Sequence, residues 1–372
     1  MAQIYTAILK EVEEGFAIGS FIFATTFKSR CRLIDMKKIT CGLLVVLGFW
    51  SCNNKGNDPD VSAIRVDIKL ERFEKSFFAI DTNNIAQGLT KTHSEFHDFY
   101  PDFMQNILGV SGNPGDTSTL SVTKNILRSY TSFAIDLAKK FSNTTPLENE
   151  LKHDFQFVKY YFPDYKIPVL VTYIGPLDAP GVALTRNRIA IGLQQYAGKD
   201  FQGYQSNEVQ QMYPAYISRR FDPVYIPANC IKAVGEDLFP DKGTGKPLVE
   251  QMIEKGKQWW LLDKLMPTTA DSLKTGYTQK QLKWCKENEG LIWNYFVTSE
   301  NLETIEPDVI QNYIGESPTT QGMPQASPGN IGQWVGWQIV KKFVIENSSL
   351  HPREIMNTPA RKILTEAKYK PK

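Results

Sequence analysis

Polar and apolar residues alternate along this chain with two different periods, and the changes of period mark the predicted elements. Residues 64–71, IRVDIKLE, alternate strictly, which predicts a strand with one face on a core and the other in water. Helical spacing follows, with predicted helices that include residues 120–141 and 147–162, the second ended by Pro163. The first half of the chain is therefore predicted to be one strand followed by helices.

The centre of the chain changes to a β-favouring pattern. Short apolar runs occupy residues 169–174, 182–184 and 189–191. The last two flank Arg186 and Asn187, a pair typical of a tight hairpin turn. These runs predict a small sheet between two helical regions.

Helical spacing returns in the C-terminal part. A helix is predicted from Pro247, placed for its first turn, to Pro267. Thr278 with Gln281 predicts a capping box at the start of a further helix. The stripe predicted to face the core of that helix comprises Leu282, Cys285, Glu289, Ile292 and Phe296.

The last long predicted helix carries Gly332 and Gly336 one turn apart, so we expect a neighbouring backbone to approach closely there. No internal repeat or low-complexity linker divides residues 66–372. We therefore predict one α+β domain over residues 66–372, mostly helical with a small central sheet.

The N-terminal region has the layout of a lipoprotein signal. Residues 36–52, MKKITCGLLVVLGFWSC, contain a start-competent Met, two lysines, an apolar run and a small residue before Cys52. The run is far shorter than the roughly 20 residues that span a bilayer. We predict a signal peptide over residues 36–51, lipidation of Cys52 and a flexible tether over residues 52–65. Residues 1–35 are then an over-extended start that is not part of the mature protein.

Composition narrows the class of protein. Aromatic residues make up 12% of the chain and charged residues 22%, as expected for a globular protein with a sizeable core. The formal net charge is only +2, and no basic block interleaves with aromatics, so nucleic acid is not predicted as a partner. Of the five cysteines, Cys230 and Cys285 remain for the domain, and two buried free thiols are the favoured interpretation, with a disulfide left open.

Few residues point to catalysis. His93 and His97 have the i, i+4 spacing of a zinc helix, but Ser94 stands where a peptidase needs Glu, and no G-x-S-x-G turn occurs. The sequence therefore predicts no catalytic residue, no cofactor and no metal ligand. Glu289 is the exception of interest, because a carboxylate on an apolar stripe needs a partner. It is predicted to pair with a buried Arg or Lys, or to form a cleft or buried polar site with Glu236 or Asp237.

Several stretches together resemble one protein family. They are YYFP at 160–163, IAIGL at 189–193, YPAYISRRF at 213–221, GYT at 276–278, NEGLIW at 288–293 and PGNIGQWVGWQIV at 328–340. With the signal over residues 36–52, this set resembles the gliding motility-associated lipoprotein GldB family of Bacteroidetes over nearly all of residues 36–372.

The resemblance implies a cell-envelope lipoprotein needed for gliding, a process tied in these bacteria to the type IX secretion system. Its implied partners are the membrane, reached through the N-terminal lipid, and other envelope proteins of the gliding machinery. The family is also distantly similar to zincin-like metallopeptidases, in which an edge strand lies over a helix bearing His-Glu-x-x-His. Residues 226–237 contain no histidine, so the resemblance implies a zincin-like architecture whose metal motif is absent.

Three hypotheses for function follow. The first is a non-enzymatic, lipid-anchored envelope protein that supports gliding through protein contacts. The second is an envelope hydrolase that uses Glu289 with Glu236 or Asp237, since paired carboxylates with separated pKa values can run acid and base chemistry. The third is a peptide-binding protein that kept the cleft, in which aromatics such as Tyr173, Tyr213 and Tyr216 would matter more than any acid.

Overall fold

The structure of the protein is a computed structural model that describes residues 58–372. The predicted signal peptide, the lipidation residue Cys52 and the stretch 1–35 lie outside the described residues. Within residues 58–372, every helix is either too short or too polar to cross a membrane.

The described chain begins with one short strand and a group of helices. The elements before the centre are β1 (Leu70–Arg72), α1 (Phe73–Phe78), α2 (Ile85–Glu95), α3 (Tyr100–Asp102), a π-helix (Phe103–Ile107), α4 (Thr117–Lys140) and α5 (Thr145–Tyr161). The two long helices, α4 and α5, confirm the predictions for residues 120–141 and 147–162. His97 lies beyond the end of α2, so the two histidines are not on one helix as their spacing predicted.

The central sheet has four strands in the order β1-β2-β4-β3, with β2 (Val169–Tyr173), β3 (Val182–Leu184) and β4 (Arg188–Gly192). β1 and β4 both run parallel to β2, while β3 pairs antiparallel with β4, with Leu184 opposite Ile189. This pairing confirms the predicted hairpin around residues 186–187. The sheet lies between helices, as predicted for an α+β protein.

The first strand is much shorter than predicted. Only residues 70–72 pair with β2, and residues 64–69 are not strand. β2 begins directly after Pro168, which has no N–H for a ladder, so the earlier residues have no partner strand. They cover the core instead: Val66 is buried, and the carbonyl of Ile64 accepts a hydrogen bond from Gln156 at 2.8 Å. The alternation was correct about burial but wrong about pairing.

The two faces of the sheet contact different cores, because successive side chains of a strand point to opposite faces. Leu170 and Ile189 belong to the larger core, with α5 and the helices that follow the sheet. Val171, Tyr173 and Ala190 belong to a smaller core built on α1, α2 and α3.

After the sheet the chain is helical to its end. The α-helices are α6 (Asn207–Met212), α7 (Ala215–Ser218), α8 (Ile226–Leu238), α9 (Leu248–Leu265), α10 (Asp271–Thr275), α11 (Gln279–Glu287), α12 (Glu289–Ser299), α13 (Pro307–Ile314), α14 (Ile331–Glu346), α15 (Pro352–Asn357) and α16 (Ala360–Ala367). Short 3₁₀ turns occupy Leu193–Gln195, Gln202–Gln205 and Pro223–Tyr225. Pro247 is the cap that precedes α9 rather than a residue of its first turn.

α9 and α14 form the closest helix pair. A Cβ on Gly336 would overlap the carbonyl oxygen of Met252, and a Cβ on Gly256 would overlap the backbone of Gly336. The glycines therefore let the two backbones touch, which confirms the prediction for this helix. The indoles of Trp259 and Trp337 meet edge to face, with centroids 5.8 Å apart.

The capping box of α11 is present, but the helix ends sooner than predicted. The Thr278 hydroxyl accepts from the N–H of Gln281, whose side chain accepts from the N–H of Thr278. The predicted continuous stripe is interrupted at Asn288, where α11 ends before α12 begins. The Asn288 amide donates to the carbonyl of Trp284 at 2.8 Å, and a Cβ on Gly290 would lie 2.6 Å from the carbonyl oxygen of Lys372. Glu289 is thus the first residue of a new helix.

The two cysteines of the described chain are both free and buried, Cys230 in α8 and Cys285 in α11. This confirms the interpretation as buried thiols.

Candidate functional site

Two concave surfaces of the protein differ in how their polar groups are satisfied. The first, the α1–α2 groove, encloses about 460 Å³ between α1 and α2. Its polar side chains mostly bond within the groove: Ser76 donates to Glu95 at 2.7 Å, and Asp81 accepts from Asn84. Lys75 is exposed to water there. Nothing in the groove calls for a ligand.

The second surface, the polar cleft, encloses about 240 Å³ where α8, α9 and the start of α14 meet. Its charged and amide side chains are Arg220, Lys232, Glu236, Asp241, Lys255, Gln258, Glu316, Asn330 and Gln333, with Thr275 and the apolar Trp259 and Leu262 completing the lining. A narrow extension past Tyr216 and Arg219 adjoins it. Segments distant in sequence therefore bring a high density of charge into one small space.

Two of the cations in the cleft already have counter-ions. Arg220 donates to both carboxylate oxygens of Glu316, at 3.0 and 3.1 Å. Lys255 contacts Asp241 at 2.9 Å. These pairs are partly exposed, and such pairs contribute little to stability. The two ion pairs therefore neutralise Arg220 and Lys255 within the lining of the cleft.

Lys232 differs from them. This lysine of α8 is half-buried, yet its ammonium makes no hydrogen bond and no ion pair with any residue from 58 to 372. Its pKa is lowered to about 8, chiefly by burial and then by repulsion from Arg220, while Glu316 and Glu236 oppose the shift. A partly desolvated ammonium without a direct hydrogen bond or ion pair is costly, which points to a group that arrives from outside.

Asn330 is the second unsatisfied group. It lines the cleft, is only 6% exposed, and stands at the N-cap of α14 with a left-handed φ of 45°. Asn tolerates that conformation better than most residues. Its side chain does not cap the helix and makes no other hydrogen bond within residues 58–372. The amide is therefore open to the cleft and free to bond a ligand there.

The loop after α10 fixes the arginine side of the cleft. Gly276 ends α10 with a left-handed φ of 76°, and a Cβ there would lie 2.8 Å from Nη1 of Arg220. Its carbonyl accepts from Arg219 at 2.5 Å. The buried hydroxyl of Tyr277 donates to the carbonyl of Gly329 at 2.8 Å, next to Asn330. Residues 276–277 thus tie the arginines to the start of α14.

The carboxylates singled out by sequence lie in separate places. Glu236 lines the cleft, and Asp237 is exposed on the same helix. Glu289 accepts a hydrogen bond from the hydroxyl of Tyr369 at 2.7 Å, in the C-terminal segment. No hydrogen bond among residues 58–372 joins Glu289 to Glu236 or Asp237, and the acid–base role of these residues stays a prediction.

Of the aromatics considered for peptide binding, only Tyr216 adjoins the cleft. Tyr173 is fully buried, and its hydroxyl donates to the carbonyl of Pro180. Tyr213 accepts from Gln195 at 3.3 Å. Among the described residues no cluster of His, Cys, Asp and Glu could hold a metal ion.

Sequence reasoning missed Lys232 and Asn330. A lysine on a helix and an asparagine before one are ordinary in a sequence. What distinguishes them is the absence of partners, which only the fold reveals. The usable signal was Asn330 itself, since asparagine before a long helix is a common N-cap and tolerates the left-handed conformation that it adopts here.

The fold and cleft together define an α+β protein with a helical majority, a small mixed sheet and a charged ligand-sized cleft. In a comparison with models of protein families, residues 54–371 match the family model described as gliding motility protein GldB. The chain therefore belongs to the GldB family of gliding motility lipoproteins. A search of curated proteins found no match, and a search of solved structures found none either.

Proposed function

We propose that this protein is a lipid-anchored, non-enzymatic component of the cell envelope that supports gliding, linked to the type IX machinery, by binding a partner. The observation that carries the proposal is the family match over residues 54–371. It begins two residues after Cys52, where the globular chain would leave its lipid anchor.

Membrane attachment through Cys52 suits the rest of the chain. Two or three acyl chains on an N-terminal cysteine hold a protein stably at a membrane, where a single chain is marginal. The polar composition of residues 53–60 supports the predicted tether between that anchor and the domain.

A binding role is supported by the unsatisfied groups of the cleft. The ammonium of Lys232 and the amide of Asn330 are arranged to hold a ligand rather than to activate a nucleophile. We also propose that the fold is related to that of the zincin-like peptidases. The support for this relation is that the antiparallel edge strand β3 packs against α8. The polar cleft, which Lys232 and Glu236 of α8 line, would then be a binding site without a metal.

The anchor is tested by Cys52→Ala, with Cys41→Ala in the predicted signal peptide as the matched control. Cells are fed an alkyne fatty acid, and label on the immunopurified protein is measured. We expect label on the wild type and on Cys41→Ala and none on Cys52→Ala. Label retained by Cys52→Ala would refute the anchor.

The role in gliding is tested by replacing the chromosomal copy with each variant in the native bacterium. We expect colony spreading to stop with Cys52→Ala and to continue with Cys41→Ala. Normal gliding by a strain lacking the whole chain would overturn the functional proposal.

A further inference from the structure

We propose that the polar cleft binds a single carboxylate attached to a small apolar group, with Lys232 as its counter-ion and Asn330 as a hydrogen-bond donor. This inference deepens the binding role proposed above by naming the class of ligand.

The donors of the cleft converge from two elements. Lys232 lies on α8, while Asn330 opens α14, a helix of sixteen residues. Neither side chain has a partner within residues 58–372, and Asn330 is more than nine-tenths buried. The start of α14 adds the partial positive charge of its free N–H groups, which favours an anion. The ammonium of Lys232 and the start of α14 with its N-cap Asn330 therefore both favour an anionic group.

The charge of the lining selects a monoanion. Besides Lys232, the cleft contains the cations Arg220 and Lys255 and the acids Glu236, Asp241 and Glu316. Arg220 and Lys255 are held by Glu316 and Asp241, and Glu236 is exposed to water. Lys232 is then the one cation of the lining without a direct ion pair, although Glu236 and Glu316 act on it through space. One such cation suits a ligand with one negative charge. The second charge of a doubly charged phosphate would have no direct partner in the lining and would lie in the same cleft as Glu236.

The remaining lining sets the size and polarity of the rest of the ligand. Trp259, only 7% exposed, and Leu262 supply apolar surface beside the charged groups. About 240 Å³ is below the size of a drug-like pocket and fits a group of a few carbons. Two sources present that chemistry: the C-terminal residue of a peptide and a free short-chain carboxylic acid.

Calorimetric titration of the full chain, purified in detergent, separates these sources. The probes are N-acetyl-trialanine with a free C-terminus, the same peptide as its C-terminal amide, butanoate and inorganic phosphate, at pH 7.5, where phosphate is mainly doubly charged. We expect the free-acid peptide to bind with a Kd of roughly a millimolar or tighter, and the amide to bind at least tenfold more weakly. Binding of butanoate as tight as the peptide would support the proposal and identify a free acid as the source.

Three variants locate the site. Lys232→Met keeps an unbranched side chain of nearly the same length and removes its charge, while Asn330→Gly keeps the left-handed backbone and removes the amide. We expect losses of about ten- to a hundredfold for Lys232→Met and about tenfold for Asn330→Gly. Lys75→Met, in the α1–α2 groove, is the matched control and should bind as the wild type does.

The proposal is overturned if neither acid binds, if acid and amide bind equally, if phosphate binds more tightly, or if Lys232→Met binds normally while remaining folded by circular dichroism. Such a failure would leave the fatty-acid labelling and gliding results untouched. Conversely, loss of the Cys52 anchor would leave carboxylate binding intact, so the two proposals fail separately.

Discussion

The middle and the start of α14 show two different uses of one helix. In the middle, Gly336 lies against the backbone of α9, and the neighbouring Trp334 and Val335 are fully buried. At the start, the side chain of Asn330 makes no hydrogen bond within residues 58–372, and it lines the same cleft as Lys232, which makes no ion pair there. The same rigid helix thus serves as part of the core and as one wall of the cleft.

The difference separates residues kept for stability from residues placed for a ligand. Close packing surrounds the apolar atoms of the helix contact with favourable neighbours, although the buried indole N–H of Trp334 has no hydrogen-bond partner among the described residues. The cleft leaves the side chains of Lys232 and Asn330 without direct partners among residues 58–372, so a ligand there can supply them. A cleft built on two closely packed helices also keeps its donors in fixed positions, which lowers the entropy cost of binding.

Among the changes to the packed middle of α14, Gly336→Ala should destabilise the protein most. A Cβ there would overlap the carbonyl oxygen of Met252, and backbone cannot rotate away as a side chain can. We expect the free energy of unfolding to fall by about 4 kcal/mol or more, measured by urea denaturation. Gly115→Ala, where the nearest atom would lie 3.4 Å away, should change it by less than about 0.5 kcal/mol. Equal effects of the two would contradict the close contact.

Asp154 sharpens the comparison, because it is an unsatisfied group in the core rather than in the cleft. It is 1% exposed, and one of its carboxylate oxygens is buried without a hydrogen bond. Burial, and then the charge of Glu150, raise its pKa to about 8, and it in turn helps to raise the pKa of the Cys230 thiol, for which burial is the main cause. The folded protein therefore binds a proton that the unfolded chain releases above its ordinary pKa near 4.

That contribution of Asp154 is complete below about pH 4 and is lost as the pH rises towards 8. We expect the free energy of unfolding to fall by roughly 1 kcal/mol per pH unit across this window. Asp154→Asn cannot ionise and should flatten the slope, whereas the exposed Asp136→Asn should leave it unchanged. Urea titrations from pH 4.5 to 8 measure both, and a wild-type slope that Asp154→Asn retains would contradict the assignment.

Local patterns predicted much of the fold. The β3–β4 hairpin, the capping box of Thr278 and the close approach at Gly336 each depend on a few neighbouring residues, and all three are present. Predictions that needed a distant partner were less accurate. Residues 64–69 had the pattern of a strand but no strand to pair with, and the stripe through Glu289 was interrupted at Asn288, where Gly290 contacts the C-terminal segment.

The cleft was beyond prediction for the same reason. Its residues come from α8, α9, the loop at 219–220 and the start of α14, and the decisive property of Lys232 and Asn330 is a missing partner. The sequence did mark Glu236, but paired it with Glu289, which bonds to Tyr369 instead. Two of the stretches that carry the family resemblance, 213–221 and 328–340, nevertheless meet at this cleft.

Glu316→Gln tests the cleft at the start of α14 with the smallest expected effect. Glu316 neutralises Arg220, so removing its charge frees a second cation beside Lys232. At pH 6, where Lys232 carries its proton, we expect the free-acid peptide to bind about threefold more tightly, as a partly exposed charge is worth well under 1 kcal/mol. Calorimetric titration measures the change.

The same substitution changes the pH dependence of binding. Glu316 opposes the lowering of the pKa of Lys232, and Arg220 promotes it, so without Glu316 the ammonium loses its proton at a lower pH. The gain in affinity at pH 6 should therefore shrink towards pH 8, with Glu236, Asp241 and Lys255 the other charges in the cleft. Glu303→Gln, which removes an exposed partner of Arg361 far along the chain, is the control and should leave both affinities unchanged. Weaker binding of the peptide by Glu316→Gln at pH 6 would show that Glu316 contacts or positions the ligand. It would also show that Arg220, once freed from Glu316, does not bind the carboxylate.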